Sequence, residues 1–282
     1  MSSAARTRSR GASGLRRRPT GPFPLRLGQG APPVHLLALE APRAALEAAA
    51  LAVAAPLLAL DRRGDGHPVL VLPGLFGGDP STFTLRNYLL WLGYAAEGWE
   101  LGTNLGPTEA VVSGLRDRLA KLADASGKRV TVVGWSLGGI YAHELARSAP
   151  GSVRSVVTLG SPVRLARRGT RTTSRLFDRF SHLQVAPGLM ARPWAEEGPL
   201  RSPTTAIYTR SDGVVAWRSC LVEPGARREN VEVHGSHYGL AHNPAVLHVL
   251  ADRLAQPEGE WRPFTPAPWL RPLYPEPARS SG

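Results

Sequence analysis

Gly134-Trp135-Ser136-Leu137-Gly138-Gly139 is the stretch whose reading decides the fold. It follows Val130-Thr131-Val132-Val133, a β-branched run, and leads into Ile140-Tyr141-Ala142-His143-Glu144-Leu145-Ala146-Arg147, which reads as a helix. Strand, sharp turn with Ser at its apex, then helix is the context that turns a G-x-S-x-G match into a nucleophile elbow. Such a turn needs the Ser in a strained backbone conformation, so that its hydroxyl stands clear of the sheet. It also needs Gly134 and Gly138 to lack Cβ atoms where strand and helix close on each other. Ser136 is therefore the candidate nucleophile.

The chain around this turn alternates short apolar runs with helical periodicity. Upstream, residues 69–72 form a continuous apolar run, the pattern of a strand covered on both faces. It ends in the glycine-rich loop Pro73-Gly74-Leu75-Phe76-Gly77-Gly78. A helix over 81–92, a strand over 94–99 and a helix over 108–125 follow, the last with Val111, Val112, Leu115, Leu119 and Leu122 on one face. Downstream, strands are expected at 153–159, 204–208 and 231–233, and a helix over 243–256 with Pro244 in its first turn. This rhythm predicts an α/β domain over 66–256, a mostly parallel central sheet with helices on both faces. Residues 163–200 interrupt it and are expected to form a short cap insertion.

In an open sheet of this kind, ligands gather at the carboxyl ends of the strands. Ser136, Asp212 and His237 each fall just after a predicted strand, which puts all three on one edge. A serine hydroxyl is a poor nucleophile until a base takes its proton, and that base needs an anion to fix its tautomer. Asp212 stands in the turn Ser211-Asp212-Gly213, in competition with Glu223, Glu229 and Glu232. His237 stands on Gly235-Ser236-His237 past the last strand, with His234 and His242 close by. His35, His67, His143, His182 and His248 have no role in this reading. Leu137, first in the helix after Ser136, is the expected backbone N–H donor to a developing oxyanion.

The order Ser136, Asp212, His237, together with the elbow, with Tyr208-Thr209-Arg210-Ser211-Asp212-Gly213-Val214-Val215 and with Gly235-Ser236-His237-Tyr238-Gly239-Leu240, resembles the lipase/esterase branch of the α/β hydrolases. The resemblance covers about residues 66–256. It implies hydrolysis of a lipid or other hydrophobic acyl ester through an acyl-enzyme, without metal or cofactor. It also implies a second oxyanion donor from the loop after the first core strand, where Pro73 replaces the His of the family's His-Gly-x loop. Leu75 is that donor in this reading, with Phe76 the alternative. Phe76, Trp135, Leu176, Phe177, Phe180 and Met190 are the candidate acyl-pocket residues. Two other readings stay open: an acyltransferase or thioesterase using the same three groups, and a non-catalytic binding protein of the same fold.

Composition excludes several classes. The formal charge of +12 looks like a nucleic-acid signal until it is located. Residues 1–30 hold seven Arg and no acid, the stretch 164–179 adds a net five, and the remainder is near neutral. No nucleic-acid partner is expected; a disordered basic tail over 1–33 is, with attraction to an acidic surface as the second reading. A single cysteine, Cys220, excludes an internal disulfide framework. The glycine-rich loop lacks the Gly-Lys-Ser/Thr ending of a phosphate cradle, and His143-Glu144 meets Arg147 where a zinc protease needs His. An Ala/Leu helix over 43–60 is expected to pack on the domain, followed by a linker to 65, with docking at a membrane interface as its alternative. Its uncharged part, 48–60, is shorter than the roughly 20 residues needed to span. The Pro-rich segment 257–282 is expected to wrap the surface through its aromatics. A cytoplasmic protein, with peripheral membrane contact as the variant, is the expectation.

Overall fold

The computed structural model describes residues 32–166 and 199–276. The basic tail, most of the expected cap (with Leu176, Phe177, Phe180 and Met190) and the last six residues lie outside the described residues.

Six strands form one sheet: β1 (Pro68–Leu72), β2 (Ala95–Glu97), β3 (Val130–Trp135), β4 (Val153–Leu159), β5 (Thr204–Tyr208) and β6 (Arg228–Glu232). Their order is β2-β1-β3-β4-β5-β6, and every pairing is parallel. The helices are α1 (Val34–Ala38), α2 (Glu40–Leu58), α3 (Phe83–Trp91), α4 (Glu109–Ser126), α5 (Leu137–Ser148), the single turn α6 (Val163–Ala166) and α7 (Pro244–Leu254).

The continuous apolar runs have a simple cause. Successive side chains of a strand point to opposite faces, and both faces of this sheet are covered. Val69 and Val71 of β1 join one core with Leu85 and Leu89 of α3 and Val246 and Leu250 of α7. Leu70 and Leu72 join the other, with Leu115 and Leu119 of α4 and Ile140 and Leu145 of α5. A one-residue slip of β1 would exchange the two sets.

Several predicted boundaries move, each for a local reason. Asp79–Thr82 form a 3₁₀ turn, so the helix expected from 81 begins at Phe83. The strand expected over 94–99 shortens to Ala95–Glu97, because the Trp99 and Glu100 N–H groups donate to the Asp79 carboxylate. The last strand is Arg228–Glu232 rather than 231–233, since pairing with β5 sets Thr204 opposite Arg228. Thr108 and Asn243 cap α4 and α7 by accepting N–H groups from their first turns. Past α7, Phe264 and Tyr274 pack edge to face at 4.9 Å beside His248, and the Tyr274 hydroxyl donates to the Ala245 carbonyl.

Register fixes the functional edge. Leu72 lies opposite Gly134, Trp135 opposite Leu159, and Tyr208 opposite Glu232. The segments starting at 73, 136, 160, 209 and 233 therefore leave the sheet side by side.

Candidate active site

Ser136 sits between β3 and α5 at φ 53°, ψ −118°. For a residue with a Cβ this conformation costs about 1–3 kcal/mol, held in place by its surroundings. The surroundings are the two glycines. A Cβ on Gly134 would lie 2.3 Å from the Gly138 carbonyl oxygen, and one on Gly138 would lie 2.3 Å from that of Leu72. Only bare backbone fits where β1, β3 and α5 converge.

His237 bridges the other two groups. Its Nε2 lies 3.0 Å from Ser136 Oγ, and its Nδ1 lies 2.6 Å from Asp212 Oδ2. Asp212 and His237 are both buried. The second carboxylate oxygen, Oδ1, accepts the N–H groups of Val214 at 2.8 Å and Val215 at 2.6 Å, so the carboxylate is aimed from both sides. The Trp135 indole donates to the His237 carbonyl at 3.1 Å. Trp135, expected in the acyl pocket, thus supports the histidine loop and packs against the core on the α7 side.

The structure also separates the competitors. Glu229 is bonded to Thr205, Arg253 and the Phe264 N–H. Glu232 is bonded to the Tyr208 hydroxyl and Arg210. Glu223 and His234 are exposed, and His242 Nε2 is 2.9 Å from the Ala44 carbonyl. Asp212 and His237 are the acid and histidine hydrogen-bonded in line with Ser136.

The loop after β1 lies against the serine: a Cβ on Gly74 would be 3.1 Å from Ser136 Cβ. Asn104, fully buried, shapes that loop. Its backbone accepts the Phe76 N–H at 2.7 Å and donates to Gly77, while its side chain donates to the Pro73 carbonyl and accepts from Tyr141. The Phe76 N–H is thereby engaged, which removes the alternative donor. The Leu75 and Leu137 N–H groups, the expected oxyanion donors, donate to no backbone partner among the described residues. Phe76 and Tyr238 stand half exposed beside Gly74 and His237.

Sequence reading missed Asn104, and it missed a second set on α2. Glu40 is buried. Its Oε1 accepts the Gly213 N–H at 2.8 Å and Oε2 the Tyr238 N–H at 2.9 Å. One carboxylate thus joins the residue after Asp212 to the residue after His237. Glu47 accepts both the N–H and the hydroxyl of Ser236, and Arg43 donates to the Ser211 and Gly235 carbonyls. The available signal was the pair of acids one heptad apart on an otherwise Ala/Leu helix.

No family model matches the chain, and no curated protein matches it in sequence. The fold does have relatives among solved structures. Aspergillus fumigatus lipase B aligns with a TM-score of 0.53 at 16% identity, over 68% of this chain and 53% of that one. Bacillus licheniformis lipase in its mature form gives 0.51 at 19%, over 69% and 95%. One of the metagenome-derived lipolytic enzymes LipS and LipT gives 0.51 at 14%, over 69% and 94%. The chain has the α/β-hydrolase fold. It spans about half the length of the Aspergillus lipase. The likeness reaches the fold and stops there at these identities.

Proposed function

We propose that this α/β hydrolase cleaves carboxylic esters through an acyl-enzyme, with Ser136 as nucleophile, His237 as base and acid, and Asp212 as the orienting anion. The observation that carries the reading is the unbroken chain Ser136 Oγ, His237 Nε2, His237 Nδ1, Asp212 Oδ2 at 3.0 and 2.6 Å, on a serine held at positive φ. In the first half-reaction, Oγ attacks the ester carbonyl carbon as its proton moves to Nε2. The oxyanion so formed lies between the Leu75 and Leu137 N–H groups, and the N-terminal end of α5 adds favourable field. The leaving alkoxide takes the proton from Nε2. Water then repeats the sequence on the acyl-serine, giving the carboxylic acid and restoring Oγ–H.

Two half-exposed aromatic rings at this edge, Phe76 and Tyr238, favour an apolar acyl or alcohol group over a charged one. The lipase names of two of the structural relatives point the same way. Labelling with a serine-reactive fluorophosphonate tests the proposal, together with p-nitrophenyl esters of increasing chain length. The wild type is expected to label and to turn over the esters, and Ser136→Ala to do neither. A folded wild type that neither labels nor hydrolyses any ester of the series would overturn it.

A further inference from the structure

Helix α2 has two unlike sides. Its inner side carries Glu40, Glu47, Leu51 and Leu58: the acids bond the Asp212 and His237 loops, and the leucines join the core on the α7 side. Its outer side is open. Leu46 is 70% exposed, Val53 81% and Leu57 54%, and Leu60, just past the helix end, is 82% exposed. From residue 44 to 60 the sequence holds one charged residue, Glu47, and that one is turned inward. The outer face of a helix on a water-soluble surface is normally polar; an apolar one implies a covering partner. Val34 and Leu37 of α1 extend the same open, apolar character.

Two further observations identify the cover. The 33 residues that precede α1 contain seven Arg and no Asp or Glu. The other end of α2 runs into Arg62 and Arg63, the latter stacked 4.0 Å over the half-exposed Trp91 ring. An apolar helix face preceded in the sequence by an arginine-rich stretch, with a Trp–Arg pair at its other end, matches an anionic lipid interface. A second copy of the chain matches it poorly, because it would bring the same positive charge to the contact.

At 19 residues, α2 is long enough and apolar enough to cross a bilayer. Its seat on the protein decides against that. A spanning α2 would have to withdraw Glu40, Arg43 and Glu47 from their bonds and carry them into hydrocarbon. We propose that α1 and α2 form an in-plane anchor, with the outer face of α2 sunk in an anionic lipid surface and its inner face on the loops of the candidate active site. The inference is independent of the ester-hydrolase reading, since it concerns adsorption alone.

The test is co-sedimentation of the full chain with vesicles of ether-linked lipids, which resist ester hydrolysis. One set is phosphatidylcholine; the other is an equal mixture of phosphatidylcholine and phosphatidylglycerol. The comparison protein is the triple variant Leu46→Gln, Val53→Gln, Leu57→Gln, which removes the apolar face without changing its charge. These side chains are exposed, so circular dichroism and the melting temperature are expected to match the wild type. Wild type is expected to pellet with the anionic vesicles and stay in solution with the neutral ones. In the variant, partitioning is expected to fall by about a hundredfold or more, each partly buried side chain contributing about tenfold. Wild type left in solution with both vesicle types would overturn the proposal. So would a variant that binds as the wild type does, which would make the contact purely electrostatic. A wild-type dimer that dissociates in the variant, with no vesicle binding by either, would assign the face to a second copy instead.

Discussion

Glu40→Gln removes one oxygen acceptor from a buried carboxylate that serves the Gly213 N–H at 2.8 Å, the Tyr238 N–H at 2.9 Å and the Arg43 guanidinium at 2.8 Å. The amide offers one oxygen and one NH₂ group. Whichever way it turns, one of the two backbone N–H groups faces another donor. An orphaned buried N–H costs about 1–3 kcal/mol, and the bonds that survive (two with the amide oxygen in the Oε1 place, one with it in the Oε2 place) lose the roughly twofold advantage of a charged acceptor. The total comes to about 2–4 kcal/mol. It falls on the two loops that carry Asp212 and His237, because α2 keeps its Leu51 and Leu58 contacts with the core. Hydrogen exchange at the Gly213 and Tyr238 amides is the direct readout, and at least one is expected to exchange about 10- to 100-fold faster. Loosening the acid and base loops is expected to lower kcat for a short p-nitrophenyl ester by about 10- to 100-fold with KM nearly unchanged, since misplacement by an ångström costs on that order. Unchanged exchange at both amides would refute the hydrogen-bond assignment. Faster exchange with wild-type kcat would show instead that the loops hold their geometry without α2.

Three further outcomes follow from the same structure. Asp212→Asn keeps an oxygen for the Val214 and Val215 N–H groups but turns an NH₂ toward His237, so kcat is expected to fall about 10³- to 10⁴-fold with little change in melting temperature; a loss under tenfold would exclude Asp212 as the orienting anion. Gly138→Ala places a Cβ 2.3 Å from the Leu72 oxygen and is expected to destabilise by about 3 kcal/mol or more in urea, whereas Gly151→Ala, with open space around it, serves as the near-neutral control. Burial holds the His67 imidazole below its ordinary pKa despite Asp65 beside it, and Arg154 holds Asp65 well below the carboxylate range despite the opposing effect of its own burial. The unfolded chain therefore takes up a proton at His67 below about pH 6.5 that the fold resists, and at Asp65 below about pH 4. Stability is expected to fall on acidification through both windows, and His67→Gln to flatten the upper one in urea midpoints measured between pH 7 and 5.

Much of the core was legible because it rests on short-range rules. Val69 to Leu72 read as a doubly covered strand, and the structure divides them between the two faces of the sheet. Boundaries failed where a distant group intervened, as when the Asp79 carboxylate took the Trp99 and Glu100 N–H groups and ended β2 early. Among the acids near the site, chain position already favoured Asp212, which follows a strand in a turn, over Glu232, which lies within one. The partners that engage Glu232 and Glu229, such as Tyr208 and Arg253, emerge only in the structure.

By itself, the sequence determined the parallel α/β order, the turn at Ser136 and the edge on which Asp212 and His237 would stand, since strand period, glycine sterics and chain order are local properties. Tertiary structure alone decided that the imidazole lies within reach of both partners, that Asn104 holds the loop opposite, and that Glu40 and Glu47 grip loops some 170 to 200 residues away. A hydrogen bond is specified by the position of two groups to within half an ångström. Over such separations no pattern along the chain encodes that position; it exists only once the sheet has brought the strand ends together.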